Sequence, residues 1–266
     1  MDETLKQDIV DAANLIIRSK YVVATTGAGI SVESGIPPFR GPGGLWTKYG
    51  EPPLDGYQRF LANPKAYWES RMKNPPAYLQ GLRETIAKAE PNPAHLALAE
   101  AENIEYKYGK LLKWLITQNV DNLHRRARST RISEIHGNAT FYRCVDCNAR
   151  YPREGFKIDM NDLPPKCPEC KGIIKSDGVS FGEPIPRDTL TKCFLEISKC
   201  DCLLIVGTSG TVYPAASFPT SVKGNGGILI DVNLYDSQFQ LMSDIALKGK
   251  SGEILPVLID NIKELI

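Results

Sequence analysis

The sequence has 266 residues, 42% of them hydrophobic and 24% charged, which is the composition of a folded globular chain and excludes disordered and fibrous classes. Its formal net charge of +1 creates no global field toward nucleic acid or an anionic membrane, so any partner is recognised locally. No apolar run approaches the ~20 residues of a membrane span, and M-D-E-T-L-K-Q-D begins with acids where a secretory leader carries positive charge, so a cytoplasmic protein with no membrane partner is expected.

Residues 4 to 19 place Leu5, Ile9, Ala12, Ala13, Ile16 and Ile17 at helical spacing, and Y-V-V-A-T at 21 to 25 reads as a buried strand. T-G-A-G-I-S at 26 to 31 follows, where two glycines let the backbone turn tightly and approach a ligand's phosphates; as a lone motif it is equally a tight turn. From Pro37 to Pro93, proline, glycine and aromatics predict loops and short helices. A helix is predicted from about Pro93 to Glu102, then a strand over L-L-K-W-L-I-T at 111 to 117 that runs into Q-N-V-D. The stretch 141 to 180 has little apolar periodicity and must be ordered by something besides its own core. Strands resume at L-L-I-V-G-T-S (203 to 209) and G-G-I-L-I-D-V-N (226 to 233), each ending in small polar residues, the pattern of a parallel sheet with ligands at its C-terminal edge. The fold class predicted is α/β.

Cys144 and Cys147, then Cys167 and Cys170, form two CxxC pairs separated by nineteen residues. Four thiolates so spaced suit a tetrahedral Zn2+, and four protein ligands leave no open position, so the site is expected to be structural. Two unrelated redox or buried pairs are the alternative. A nucleic-acid-binding zinc ribbon is a functional rival, although only Tyr151 and Phe156 offer stacking surfaces. Cys193, Cys200 and Cys202 read as small buried residues. The basic run His124, Arg125, Arg126, Arg128 and Arg131 reads as a solvated face.

G-A-G-I-S-V-E-S-G-I-P-P-F-R-G (27 to 41), T-Q-N-V-D-N-L-H (117 to 124), I-H-G-N (135 to 138), F-G-E-P-I-P (181 to 186), G-T-S (207 to 209) and D-V-N-L (231 to 234), with the CxxC pairs, resemble the sirtuin pattern over nearly the whole chain. The resemblance implies a single catalytic unit: a large Rossmann-type part, about 1–36, 92–138 and 182–266, and a small part made of a helical insertion, about 37–91, and a zinc module, about 139–181. It implies an NAD-dependent protein-lysine deacylase, with NAD as a consumed cosubstrate and one structural Zn2+. Gly27, Ala28, Gly29, Ile30 and Ser31, with Phe39 and Arg40, match the loop over NAD. Gln118, Asn119 and Asp121 match nicotinamide and ribose contacts, and Gly207, Thr208, Ser209, Asn233, Leu234 and Ser251 match the adenosine side. Val179, Phe181, Gly182 and Glu183 match the strand to which an acyl-lysine peptide adds. His136 matches the general base, with Asn119 and Arg40 beside it in the reaction: the acyl oxygen attacks the ribose carbon, nicotinamide leaves, and the base activates a ribose hydroxyl. His95 and His124 are expected to be structural.

Two departures bear on specificity. Pro38 stands where the pattern carries a polar residue, and Ser180 where it carries a bulky aromatic. Relatives that remove acidic acyl groups carry Tyr-x-x-Arg, whereas W-E-S-R-M-K-N from Trp68 to Asn74 has no such pair, so neutral acyl groups are expected. Mono-ADP-ribosyl transfer to protein is the alternative reading of the same NAD site. A zinc-containing dehydrogenase leaves Q-N-V-D and I-H-G-N without a role, and near-zero net charge disfavours a non-catalytic zinc ribbon or direct sequence-specific nucleic-acid binding.

Overall fold

The computed structural model describes residues 1–73 and 75–266. Helix α1 (Glu3–Arg18) starts at Asp2, whose carboxylate accepts the Leu5 N–H at 2.8 Å, and turns Ile9, Ala12, Ala13 and Ile16 inward. Strand β1 (Val22–Thr26) follows, then a 3-10 turn (Ala28–Ser34) and four short helices, α2 (Leu45–Tyr49), α3 (Gly56–Ala62), α4 (Pro64–Lys73) and α5 (Ala77–Lys88). Helix α6 (Pro93–Ala101) leads through a small hairpin, β2 (Glu105–Tyr106) and β3 (Gly109–Lys110), into β4 (Leu112–Thr117), the one-turn α7 (Leu123–Arg126) and β5 (Ile132–Glu134). Strands β6 (Phe141–Cys144), β7 (Arg150–Pro152) and β8 (Ile174–Ser176) form a separate antiparallel sheet. The remainder is α8 (Arg187–Lys199), β9 (Cys202–Val206), α9 (Phe218–Gly224), β10 (Ile228–Asn233), β11 (Ile245–Lys248) and α10 (Ser251–Leu265).

The main sheet has the order β11-β10-β9-β1-β4-β5 with every pair parallel. Because side chains alternate along a strand, Val22 and Ala24 of β1 pack with α1, α6 and α10, while Val23 packs with α8 and α9. With both faces covered, β1 and β9 are buried at every residue, which explains the apolar run of β9 and of β1 up to Thr25 and Thr26. The chain runs from β1 outward to β4 and β5, then returns to build β9, β10 and β11 on the other side. The loops leaving β1 and β9 therefore start at adjacent strand ends, the place where doubly wound sheets open a ligand crevice.

The stretch 141 to 180 is not without a core. Cys144, Leu163, Cys167 and Ile174 pack with Tyr142, Tyr151 and Phe156, and α4 contributes buried Trp68, whose indole N–H donates to the Ile174 carbonyl at 2.8 Å. Tyr151 and Phe156 pack against each other with ring centroids 5.4 Å apart, so these rings are committed to packing. The basic run matches expectation in part: Arg125, Arg126 and Arg128 are exposed, but the run is not a free face. His124 is buried, Arg125 forms a two-pronged ion pair with Glu134 (2.9 and 3.1 Å), and Arg126 and Arg131 donate to the carbonyls of Ala89 and Glu102. Charges placed every few residues look like a solvated face in sequence, but here they tie α7 and β5 to their surroundings.

Candidate functional site

The loops after β1 and β9 interlock. Gly27 N–H donates to the Val206 carbonyl at 3.0 Å and Gly29 N–H to the Gly207 carbonyl at 2.8 Å. A Cβ on Gly29 would sit 2.7 Å from Gly207 Cα, and one on Gly207, whose φ is +59°, would sit 2.4 Å from Ile30 N, so both positions require glycine. The glycines thus serve the contact between loops, and the N–H groups of Gly27 and Gly29 are already used and do not await phosphates.

Behind this contact lies a buried polar chain with consistent donor directions. Asn119 Nδ2 donates to the Gly27 carbonyl and to Ser31 Oγ, both at 3.0 Å, and Ser31 donates to Asp121 at 2.7 Å. Asp121 also accepts the Leu123 N–H at 2.9 Å. Burial pushes its carboxyl above the usual range, opposed by these two bonds. Gln118 reaches Thr208 Oγ1 at 3.0 Å, fastening the end of β4 to that of β9. Thr26 donates to Thr117, so it accepts from His124 Nε2 at 3.0 Å.

His95 and His124 lie beneath this chain with ring centroids 4.7 Å apart, tilted at 57°, and are essentially unexposed. Desolvation lowers His95 to about 4 and holds His124 well below its ordinary value, with His95 adding repulsion. Both rings are neutral in the folded protein, whereas in the unfolded chain they protonate near pH ~6.5. As pH falls from about 7 toward 4 the unfolded chain takes up protons that the folded one refuses, at a cost of up to about 1.4 kcal/mol per pH unit for each ring. Stability is complete above the unfolded value and is lost below it. Urea midpoints at pH 7.5, 6 and 5 should fall in that order, and a flat series would contradict this assignment.

His136 follows β5 and is half-buried on the cleft wall. A carbonyl only accepts, so the 3.1 Å contact between His136 Nδ1 and Gln118 O places the proton on Nδ1 and leaves Nε2 with a lone pair. Burial lowers its pKa, partly offset by that bond. The turn carrying it is clamped. Fully buried Asp177 lies 2.6 Å from Arg143 and 2.7 Å from Arg150 and accepts the Asn138 N–H at 2.8 Å, while Arg150 also reaches Glu134 at 3.2 Å. The His136 carbonyl accepts the Val179 N–H at 2.9 Å.

The four cysteine Sγ atoms lie within 4.8 Å of one another, with Cys144–Cys170 at 3.4 Å and Cys147–Cys167 at 3.7 Å. These separations exceed a disulfide bond and match the edge of about 3.8 Å in a tetrahedron of ~2.3 Å Zn–S bonds. Each CxxC turn ends in a left-handed residue, Asn148 and Lys171, which folds the chain back around one centre. The donor set and geometry fit a closed structural Zn2+ site with no position for substrate.

The Sir2 family model matches residues 27–214, a span that contains the interlocked loops, His136 and the cysteines. The chain belongs to the Sir2 family. Among its relatives, the NAD-dependent protein deacylase of Pyrococcus abyssi is 42% identical over 97% of this chain and 99% of its own length. The NAD-dependent protein deacylase 2 of Archaeoglobus fulgidus is 39% identical over 98% of each. The solved NAD complex of a Sir2 homologue is 37% identical, covering 100% of this chain and 95% of that one with a TM-score of 0.77. A solved Sir2 complex with p53 peptide and NAD+ is 31% identical over 94% and 96%, with a TM-score of 0.74. The expected sirtuin resemblance and α/β class are therefore borne out.

In this Sir2 chain one cleft of about 2120 Å3 gathers Gly27, Ala28, Gly29, Phe39, Arg40, Gln118, Asn119, Asp121, His136, Val179, Phe181, Gly182, Glu183, Gly207, Thr208, Ser209, Asn233, Leu234 and Ser251. Ile30 and Ser31 lie behind its wall, Ile30 in the core and Ser31 bonded to Asp121. Arg40 is held on the rim by Glu51 (3.2 Å), Thr211 (2.9 Å) and the Trp46 ring (4.2 Å). Residues 179–183 are not a strand, contrary to expectation: Gly182 has φ +78° and the Ser180 N–H turns back to Glu183 at 2.8 Å. The sequence reading missed Lys175, 1% exposed, which ties this segment together through the carbonyls of Ser176 (2.7 Å) and Gly178 (2.8 Å) and the Glu183 carboxylate (3.0 Å). A lysine in an exposed-looking polar run gives no signal of such burial.

Proposed function

We propose that the protein is an NAD-dependent protein-lysine deacylase that yields free lysine, nicotinamide and 2′-O-acyl-ADP-ribose. The observation that carries this reading is the meeting, in one cleft, of a neutral histidine with a free Nε2 lone pair and the locked Asn119–Ser31–Asp121 chain. NAD, when bound, supplies an electrophilic ribose carbon with nicotinamide as leaving group. Asn119 and Asp121 are pre-ordered to meet its nicotinamide ribose end, so no side-chain ordering is left to be done on binding. Thr208, Ser209, Asn233, Leu234 and Ser251 line the adenosine end, and Phe39 and Arg40 form the rim that encloses the cosubstrate. His136 Nε2 takes the ribose hydroxyl proton, with the Gln118 carbonyl fixing the tautomer and stabilising the cation that results. Val179, Phe181, Gly182 and Glu183 line the side from which the acyl-lysine chain enters.

None of the cysteines is paired in a disulfide, which fits a reducing, cytoplasmic compartment, and among the described residues no helix is long and apolar enough to cross a membrane. Near-zero net charge argues against direct sequence-specific nucleic-acid binding. Incubation with NAD and a panel of acyl-lysine peptides, followed by peptide mass and free nicotinamide, tests the reading. Loss of the acyl group strictly dependent on NAD is expected. Steady NAD cleavage with label left on protein and every acyl peptide intact would replace it with mono-ADP-ribosyl transfer.

A further inference from the structure

Lys175 lies on β8 beside Ile174, which packs among the cysteines and aromatic rings of the zinc-binding part. Its side chain is 2% exposed, and its ammonium finds one acceptor for each of its three donors. These are the Ser176 carbonyl at 2.7 Å, the Gly178 carbonyl at 2.8 Å and the Glu183 carboxylate at 3.0 Å. Glu183, whose side chain is 9% exposed, uses its other oxygen on the Ser180 N–H at 2.8 Å. The pair thus closes a ring from the end of β8 to Glu183, and every residue from Gly178 to Glu183 lines the cleft. From the opposite side α3 holds the same segment: Tyr57 N–H donates to the Phe181 carbonyl at 3.1 Å and Gln58 Nε2 to the Gly182 carbonyl at 3.3 Å.

The ring decides which main-chain groups stay open. The carbonyls of Gly178, Ser180, Phe181 and Gly182 are taken by Lys175, the Glu183 N–H, Tyr57 and Gln58. The N–H groups of Val179, Ser180 and Glu183 are taken by the His136 carbonyl, the Glu183 carboxylate and the Ser180 carbonyl. The Val179 carbonyl and the N–H groups of Phe181 and Gly182 have no protein partner among the described residues, and such groups can pair with the main chain of an extended peptide. A lysine sealed from water costs free energy that an apolar side chain would not, and a buried ion pair returns little of it as net stability. Stability therefore does not account for Lys175. Its contacts do, since all three acceptor residues line the cleft. The catalytic turn has its own supports: Gln118 fixes the His136 ring, and Asp177, held by Arg143 and Arg150, accepts the Asn138 N–H at 2.8 Å. Loss of the lysine would disturb the peptide side of the cleft and leave the base in place.

We propose that Lys175 is a positioning residue for the substrate peptide. With Glu183 it holds residues 178–183 in the turn that keeps the Val179 carbonyl and the Phe181 and Gly182 N–H groups open to the main chain of an acyl-lysine peptide. Lys175 acts through this segment and not by contact with substrate, and Glu183, expected from the sequence to meet the peptide, shares the task of holding it. The role rests on the deacylase reading.

The test measures peptide KM, kcat, NAD affinity without peptide, and zinc content in the zinc-loaded wild type and two variants. The probe is an acetyl-lysine peptide, a neutral acyl group as expected from the sequence; the stretch on which that expectation was drawn ends at Asn74, which lies outside the described residues. Lys175→Met keeps the length of the side chain and removes its donors. It should raise peptide KM by about 10- to 100-fold, the worth of one hydrogen bond to a charged group, with a much smaller change in kcat and with NAD affinity and zinc content retained. Because this variant leaves Glu183 buried without its partner, Lys175→Met/Glu183→Gln removes both charges; it should hold zinc and still bind the peptide weakly. A wild-type peptide KM in either variant would overturn the role. Parallel loss of peptide binding, kcat, NAD affinity and zinc in the double variant would also overturn it, and would make the lysine a support of the fold alone. No turnover of any acyl peptide by the wild type would remove the deacylase reading, and this role with it.

Discussion

Replacing His136 with alanine is expected to lower deacylation by roughly 100- to 10,000-fold, the range that a positioned general base contributes. The expectation follows from geometry. Nδ1 is committed to the Gln118 carbonyl at 3.1 Å, so the only basic lone pair of the ring is Nε2, on the cleft side. Among the histidines, His95 and His124 are neutral and sealed beneath the Ser31–Asp121 chain, and neither lines the cleft. The wild-type rate should show an acid limb, because protonated His136 cannot accept. Burial lowers its pKa, so the inflection should fall below the ordinary ~6.5 and the rate should be flat from there to neutral pH. A variant that keeps a tenth of wild-type activity, or a wild-type profile with no acid limb, would move the base elsewhere. Release of nicotinamide requires no proton transfer by His136, so exchange of labelled nicotinamide into NAD should survive the substitution. That survival separates a lost base from a collapsed cleft.

Much of this site was legible because its sequence signals are local. Gly27, Gly29 and Gly207 stand at strand ends where only glycine permits the approach of two backbones, and the apolar runs of β1, β9 and β10 mark strands covered on both faces. The CxxC spacing announces a four-sulfur centre without knowledge of the fold. What was not legible depends on residues far apart in sequence. Lys175 and Glu183, or Asp177 with Arg143 and Arg150, read as ordinary surface charges until folding buries them against each other. The same holds for Arg71 of α4 and Arg83 of α5, which meet through an Arg83 N–H donated to the Arg71 carbonyl at 3.3 Å. The short helices expected between Pro37 and Pro93 are α2 to α5, but their bounds were not legible. Neither α2 nor α5 buries a residue fully, so the apolar pattern that marks helix ends is weak there.

Removal of zinc is expected to abolish activity although the metal site and the cleft chemistry are separate. Structural zinc contributes roughly 10 to 16 kcal/mol of apparent binding energy in small metal-ordered units, and here the sulfur cluster sits inside the packing formed by Leu163, Ile174, Tyr142, Tyr151 and Phe156. Without the ion, four thiols held within 4.8 Å lose their common partner and β6, β7 and β8 lose their anchor. Two losses then reach the cleft. Arg150 leaves β7 and no longer bridges Asp177 and Glu134, which together hold Asn138 beside His136. Ile174 no longer offers its carbonyl to Trp68, so α4 loses its fixed contact with the zinc-binding part. Of the main sheet only the edge strand β5 touches these groups, through Glu134, while the core around β1, β4, β9 and β10 is built with α1, α6, α8, α9 and α10. After chelation, hydrogen exchange should therefore become fast over residues 141–176 and around Asn138, while β1 and β9 stay protected. Added Zn2+ should restore both protection and turnover, and Cys147→Ser should mimic chelation. Full activity in metal-free protein, with residues 141–176 still protected, would show that the aromatic packing suffices and that the cysteines hold nothing the fold needs.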